Sequence, residues 1–167
     1  MTSPMRVVSD TSPISNLAII GRLDLLLERY GEVIIPPMVR EELKALRHAD
    51  AASRIEAALH QGWLVVRTLP EAARRLALPA ESDPGESEAL RLALHLGADK
   101  ILLDDSMARA IALQMGLRMA GLLGELLFAK QSGRVASVAG EIRRLRSEAR
   151  FFVSAEVEAV ILSAAGE

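Results

Sequence analysis

Five short apolar runs alternate with longer segments of helical period, and this alternation constrains the fold more than any other sequence feature. The runs lie in MRVVSD, EVIIPP, WLVVRTL, DKILLDD and LRMAG. Strands separated by helices of about 10 to 15 residues form a parallel sheet, with right-handed crossovers and helices on both faces. The sequence therefore predicts an α/β fold with a central parallel sheet.

The helical segments can be placed from their periodicity and end signals. The first region, residues 11–31, is expected to start with Ser12 as the N-cap and Pro13 as the first helical residue, with breaks at Gly21 and Gly31. Further helices are expected at residues 37–46, 49–61, 86–97, 106–116, 122–133, 138–151 and 154–166, and a weaker one at 69–78. A chain of 167 residues fits one domain over residues 1–167, with C-terminal helices at about 122–165 packed on it.

Composition excludes several classes of protein. There is no cysteine, which removes disulfides, thiolate zinc sites and a cysteine nucleophile, and favours a reducing cytoplasm. No apolar run approaches the roughly 20 residues that a bilayer requires, and MTSPMRVV lacks a secretory h-region, so we expect no membrane association. The aromatic content of 3% is too low for the stacking platform of a pure single-strand binder.

Acidic residues follow two of the predicted strands. Asp10 closes the first strand, and Asp104 and Asp105 close the strand that contains KILL. Because ligands of open α/β sheets bind beyond the carboxyl ends of the strands, these acids are candidate site residues.

Helical periodicity places two further acids on or beside the apolar face of their helices. Glu42 borders the apolar stripe of its helix, whereas Glu41 points to water, and Glu86 lies in line with the core stripe of the helix that ends at Gly97. An inward carboxylate costs several kcal/mol unless it is paired or bound to a cation.

Structural explanations exist for each acid alone. Asp10 and Ser12 can complete a helix cap, Glu86 can stabilise a helix N-terminus, and Glu42 can pair with Arg22 or Arg40.

Taken together, acids that converge on one sheet edge would repel one another unless divalent cations neutralise them, so we expect their carboxylates within reach of one cation. Ligands that are all oxygen favour Mg²⁺ or Mn²⁺ over zinc. The three histidines lie in separate helical segments without ligand spacing, which agrees with this choice.

The order and spacing of several stretches resemble PIN-domain proteins, in particular a toxin-like subfamily long catalogued as a domain of unknown function and related to toxin–antitoxin ribonucleases. These stretches are VVSDTSPISNLAIIGRLDLL, VIIPPMVREEL, DPGESEALRLALHLGADKILLDDSMARAIALQMGLRMAG and GELLFAKQSG. The resemblance implies a three-layer α/β/α sandwich and an endoribonuclease in which acids hold one or two Mg²⁺ or Mn²⁺ ions to hydrolyse RNA phosphodiesters.

By position, the resemblance assigns catalytic and metal-binding roles to Asp10, Glu42 and Glu86. The fourth acid is Asp104 or Asp105, with Asp104 favoured. Many relatives have a hydroxyl residue two places before that acid, where this sequence has Leu102 or Leu103. Many also have a hydroxyl residue after the glycine that matches Gly121; here that residue is Leu122, so we assign the loop at Gly121 no catalytic role.

Secondary candidates surround these acids. Ser9, Thr11 and Ser12 could orient Asp10 or contact a scissile phosphate, with capping the alternative for Ser12, and Arg109 could contact phosphate or lie on a solvated helix face. Arg143, Arg144 and Arg146 could follow an RNA backbone or form a solvated face. The apolar helices could pack in the core, form a homodimer or receive an antitoxin-like peptide.

Two other classes of function remain open. A receiver-like or phosphatase-like domain needs a nucleophilic aspartate, usually with a strand-end lysine or an acid two residues away from it; two places after Asp10 the residue is Ser12, so that acid is missing. Walker A, G-x-G-x-x-G and G-x-S-x-G motifs are absent. A PIN-like interaction module with weak or no metal binding is the non-enzymatic alternative.

Overall fold

A five-stranded parallel sheet forms the centre of the computed structural model, which describes residues 3–80 and 82–167; Met1, Thr2 and Glu81 lie outside the described residues. Its strands are β1 (Val7–Ser9), β2 (Val33–Ile35), β3 (Leu64–Val66), β4 (Lys100–Leu102) and β5 (Met119–Ala120). They are arranged in the order β3-β2-β1-β4-β5, and every neighbouring pair is parallel. The predicted α/β class and parallel sheet are confirmed.

Helices cover both faces of this sheet. All three residues of β1 and all three of β2 are buried, and successive strand residues point to opposite faces, so neither face of these strands meets solvent. The first helices are α1 (Thr11–Ile19), α2 (Asp24–Tyr30), α3 (Pro37–Lys44), α4 (Ala49–Gln61) and α5 (Glu71–Arg74). They are followed by α6 (Pro84–Leu96), α7 (Ser106–Gln114), α8 (Leu122–Gln131), α9 (Val138–Ala149) and α10 (Ala155–Ala165).

The start of α1 differs from the prediction. The helix begins at Thr11, so Asp10 takes the N-cap position, and the predicted roles of Ser12 as N-cap and Pro13 as first helical residue are wrong. The physical reason is that the Asp10 N–H still bonds Leu102 in the sheet, 3.0 Å away, and the chain turns directly from strand into helix. Pro13 is tolerated because N–H groups of a first turn have no partner within the helix.

The predicted helix breaks agree with the structure. Gly21 and Gly31 have φ values of 70° and 74°, a region that strains residues with a Cβ, and they end α1 and α2. Gly97 ends α6 in the same way.

The His48 side chain caps α4 by accepting a hydrogen bond from the Ala51 N–H. His48 therefore has a structural role.

The C-terminal helices pack on the rest of the chain through apolar and ionic contacts. Leu122 and Leu126 of α8 and Leu145 of α9 belong to the main hydrophobic core. Arg22, which follows α1, donates to Glu141 of α9 at 2.7 Å. Within the described ranges, no helix combines the length and apolar character needed to cross a bilayer.

Candidate active site

Asp10 lies at the carboxyl end of β1, the central strand, and its side chain is 4% exposed. Its Oδ1 atom is buried and has no hydrogen-bond partner among the described residues. The pKa of Asp10 is raised to about 7, mainly by burial; a backbone hydrogen bond at Thr11 opposes this increase, and the nearby charges of Glu86, Asp83 and Glu42 contribute to it. The environment therefore opposes a negative charge on Asp10 unless a positive charge accompanies it.

Glu42 projects from α3 beside the first turn of α1, where the Thr11 hydroxyl donates a hydrogen bond to its carboxylate. The carboxylate also lies so close to Gly85 that a Cβ at that position would overlap both of its oxygens. Arg40 pairs with Glu56, and Arg22 pairs with Glu141, each at 2.7 Å. The alternative in which one of these arginines neutralises Glu42 is therefore wrong.

Glu86 is buried in the first turn of α6, as its helical position predicts. The Ser82 hydroxyl donates to its carboxylate, and its own N–H donates to Asp83, which caps the helix, at 3.0 Å. Burial raises the pKa of Glu86, as do the charges of Asp83 and Asp105, while the Ser82 hydrogen bond lowers this pKa. A stabilising effect on the helix N-terminus is compatible with this position, so that alternative stays open.

The two acids after β4 have different environments. Asp104 accepts hydrogen bonds from the Ser12 hydroxyl at 3.0 Å and from the Leu122 N–H at 2.7 Å. Burial raises the pKa of Asp104, and these two hydrogen bonds and Arg109 oppose that increase. Asp105 is exposed, caps α7 by accepting from the Ala108 N–H at 2.9 Å, and is the acid of the pair whose charge acts on Glu86.

The acids thus divide into two groups. In the first group, the charges of Glu42 and Glu86 act on Asp10, and the charge of Asp105 acts on Glu86. Asp104 is held by hydrogen bonds that join the end of β4 to α1 and α8. In their present side-chain positions, no three acid or histidine side chains of the described chain form a group that could hold a metal ion.

Two features of the donor set nevertheless suit a divalent cation. The donors are all carboxylate oxygens, which Mg²⁺ and Mn²⁺ prefer, and the Oδ1 atom of Asp10 has no hydrogen-bond partner in the described part of the chain. Carboxylates crowded at a buried edge can bind such a cation or retain protons, and either outcome removes the unfavourable charge.

The secondary candidates have mainly intramolecular partners. Ser9 donates to the carbonyl of Asp10 at 2.8 Å, and Thr11 and Ser12 donate to Glu42 and Asp104 rather than to the Asp10 carboxylate. Arg109 donates to the Leu103 carbonyl at 3.1 Å. Thr11 and Ser12 therefore fix the positions of neighbouring acids.

Two of the three α9 arginines that could follow an RNA backbone form ion pairs within the protein. Arg144 pairs with Glu141 and Glu148, and Arg146 pairs with Glu158. Within the described part of the chain, Arg143 has no ion pair. Arg143 is therefore the arginine of this surface that is most available for an external partner.

Sequence reasoning missed Ser82 and Asp83, which fix and flank Glu86. A signal for Asp83 was present, because Asp83-Pro84-Gly85-Glu86 has the spacing of a capping box with proline in the first turn. The Leu122 N–H that holds Asp104 is a backbone group, and no side-chain pattern reveals it.

The chain was compared with family models, curated proteins and solved structures. A model of a family described as PIN domain, DUF3368, matches residues 6–167. Among solved structures, the chain is similar to a PilT N-terminus domain protein, SSO1118, from the hyperthermophilic archaeon Sulfolobus solfataricus P2. The identity is 20%, the TM-score is 0.52, and the match covers 73% of this chain and 91% of the other, which shows a shared fold. No curated protein matches. Since the family model spans nearly the whole sequence, the chain belongs to the PIN-domain family.

Proposed function

We propose that this chain is an endoribonuclease that uses Mg²⁺ or Mn²⁺ to hydrolyse RNA phosphodiesters. The observation that carries the proposal is the buried Oδ1 atom of Asp10 at the carboxyl end of the central strand, which has no hydrogen-bond partner among residues 3–80 and 82–167. An ionised carboxylate in such a place is costly without a compensating cation. Membership of the PIN-domain family, which generally includes nucleases, supports the same function.

In this proposal Asp10, Glu42 and Glu86 hold the cation, and Asp105 completes the set from the adjacent strand end. Asp105 is preferred to Asp104 because its charge acts on Glu86, whereas both Asp104 oxygens accept hydrogen bonds from Ser12 and Leu122. Asp104 then has a positioning role, joining β4 to α1 and α8.

The chain's own groups would prepare the site for this chemistry. When bound, the cation supplies Lewis-acid activation of water and offsets charge on the phosphate. The hydroxyl groups of Thr11 and Ser82 orient Glu42 and Glu86, and Arg109 lies beside Asp104 at the edge where a phosphate would approach. No histidine is required as a general base.

The toxin of a toxin–antitoxin pair is the biological role that we propose for this activity, with RNA as substrate and an antitoxin protein as partner. The resemblance of the sequence to toxin-like PIN domains supports this role. An exposed apolar side chain on α10, Val160, is available for an antitoxin or for a second copy in a homodimer.

One observation favours a second candidate function, an interaction module with weak or no metal binding. Glu42 and Glu86 both accept hydrogen bonds from hydroxyl groups, and the carboxylates of the described residues do not form a ready ligand group. If these side chains do not rotate toward a cation, the fold remains without hydrolytic activity.

Metal-dependent stabilisation and RNA cleavage test the two candidates together. Melting temperature and cleavage of single-stranded RNA are measured in EDTA, Mg²⁺ and Mn²⁺ for wild type, Asp10→Asn and the exposed-site control Glu32→Gln. We expect Mn²⁺ to raise the melting temperature of wild type and of the control, and to support cleavage by both. Asp10→Asn should lose both effects. If wild type shows neither effect, the nuclease proposal fails and the interaction module is favoured.

A further inference from the structure

A cavity of about 970 Å³ lies against the two acids that follow β4 and extends along the edge strand β5. Asp104, Asp105 and Arg109 line one part of it, and Phe151, Phe152 and Val157 line another. Its volume lies in the range of pockets that enclose small organic ligands, so a nucleotide fits. Asp105 lines the cavity and is also one of the four proposed cation ligands, so the cavity borders the proposed metal site; Asp10, Glu42 and Glu86 are not in its lining.

Phe152 projects from the segment between α9 and α10 and is 85% exposed, more than any other large apolar side chain of the described residues. Its neighbours Phe151 and Val153 are half-buried and buried. The Phe152 ring is therefore displayed at the cavity rather than packed in the core.

The segment that carries this ring is braced on both sides. Arg150 ends α9 in the left-handed region at a φ of 53°, and the Phe151 N–H bonds the Leu145 carbonyl at 3.1 Å. Arg146 donates to the Val153 carbonyl at 3.1 Å. Because these contacts hold the backbone on either side of Phe152, a ligand would lose little entropy of the segment on binding.

Arg109 brings a guanidinium group to the same cavity. Arg109 lies close to Gly121 and Asp104, where a Cβ on Gly121 would be 2.7 Å from Arg109 Nη1 and 3.1 Å from Asp104 Oδ1. The same Nη1 atom donates to the Leu103 carbonyl, and no other hydrogen bond from the Arg109 side chain is found in the described structure. The remaining N–H groups of Arg109 can therefore donate to a phosphate oxygen.

Resting on the proposed function, we propose that this cavity binds the RNA nucleotide next to the scissile phosphate, with its unpaired base stacked on Phe152 and its phosphate beside Arg109. An exposed aromatic ring binds any base face, and proteins recognise single-stranded RNA largely by such stacking. One ring serves one base, so the low aromatic content of the chain is no obstacle. The cavity presents a guanidinium group and an exposed ring next to Asp105, and this combination favours a nucleotide, which carries both a phosphate and a base, over a partner protein as the occupant.

The first experiment measures KM and kcat for Mn²⁺-dependent cleavage of a single-stranded RNA oligonucleotide. Phe152→Ala and Phe152→Trp are compared with Leu113→Ala, a control on α7 whose side chain is 71% exposed. Loss of one stacked base should raise KM by about 5- to 100-fold with kcat nearly unchanged. Phe152→Trp should restore the wild-type KM, and Leu113→Ala should have no effect.

The second experiment detects the base directly. RNA carrying 5-iodouridine is irradiated with the protein in an Asp10→Asn background, and the crosslinked residue is identified by mass spectrometry. We expect a crosslink at Phe152 that Phe152→Ala abolishes. The oligomeric state of each variant is measured on a calibrated gel-filtration column.

The outcomes separate the inference from the proposed function. Normal KM values for Phe152→Ala with intact cleavage overturn the inference alone. Crosslinking at Phe152 without cleavage by wild type overturns the nuclease proposal and supports the nucleotide site. Absence of RNA binding overturns both. If Phe152→Ala changes the oligomeric state and leaves RNA binding unchanged, the ring belongs to a protein interface and the inference is wrong.

Discussion

Hydroxyl groups hold three of the candidate acids; two of these bonds join distant parts of the chain, and the third is local. The pairs are Thr11 with Glu42, Ser12 with Asp104 and Ser82 with Glu86. Asp10 differs, because Ser9 donates to its carbonyl and its Oδ1 atom has no partner in the described structure. At the scale of single residues, Asp10 is therefore the acid whose ionisation the fold compensates least.

The first prediction concerns the charge on Asp10 in metal-free protein. Because the folded pKa of about 7 lies above the ordinary value of 3.8, this carboxyl group reduces stability as pH rises from about 4 to 7. Asp10→Asn removes that loss. At pH 8 in EDTA we expect the variant to be more stable than wild type by about 2 to 4 kcal/mol, with little difference at pH 4.

Urea denaturation at pH 4, 6 and 8 measures this difference, with Glu32→Gln as an exposed control. A stability gain that is the same at all three pH values would contradict the assignment, since a packing effect does not follow the titration of one group.

The second prediction concerns the close approach of Glu42 to Gly85. In Gly85→Ala, the new Cβ would displace the Glu42 carboxylate, so we expect Mn²⁺-dependent cleavage to fall by about 10- to 100-fold. Alanine favours the helix, so the free energy of unfolding should change by no more than about 1 kcal/mol.

Gly140→Ala in α9 is the matched control, because its new Cβ would make only ordinary contacts with Ser137 and Arg143. Cleavage assays and urea denaturation are run on both variants. Equal activity of the two would show that the position of Glu42 does not matter for the reaction.

At the scale of elements, local patterns predicted most helices and strands but not the contacts between distant residues. The expected helix at 49–61 matches α4, whose apolar period and terminal Gly62 are local features. Ser12 was misassigned as an N-cap because its partner, Asp104, is 92 positions away in the sequence. Periodicity places Glu86 on the core stripe and Glu42 at the border of its own, but it does not separate Asp104 from Asp105, whose different environments arise from contacts with α1, α6 and α8.

The third prediction concerns the ionic contact between α2 and α8. Glu125 is 3% exposed and accepts hydrogen bonds from Arg29 at 2.8 Å and from the Tyr30 hydroxyl at 2.5 Å. In Glu125→Ala both donors lose this partner, so we expect stability to fall by about 2 to 4 kcal/mol. Glu125→Gln keeps an acceptor for Tyr30 and should have a smaller effect.

Thermal and urea unfolding measure these losses, and Glu41→Ala provides the surface comparison. Glu41 pairs with Lys44, and both side chains are more than half exposed, so we expect no measurable change for that variant. Comparable losses for Glu125→Ala and Glu41→Ala would mean that α8 is not anchored through Glu125.

At the scale of the whole molecule, strand order explains why acids distant in sequence meet. The chain proceeds from β1 through β2 to β3 on one side, then returns to place β4 on the other side of β1. The carboxyl ends of β1 and β4 thus flank the point where the strand order reverses, which is where open parallel sheets bind ligands. Asp10 and Asp105 follow these two strands, and α3 and α6 bring Glu42 and Glu86 to the same edge.

The fourth prediction follows from the coupling of this site to folding. A cation binds the deprotonated carboxylates, so its affinity should rise as pH increases through the Asp10 pKa of about 7. In EDTA the ionisation of Asp10 reduces stability over this range, whereas saturating Mn²⁺ should offset the loss. Melting temperatures with EDTA and with Mn²⁺ should therefore nearly coincide at pH 5 and separate toward pH 8.

At a free Mn²⁺ concentration 100 times its dissociation constant, bound Mn²⁺ should stabilise the folded protein by about 2.7 kcal/mol. Asp10→Asn should remove the separation; if it persists in that variant, Mn²⁺ binds elsewhere on the folded chain.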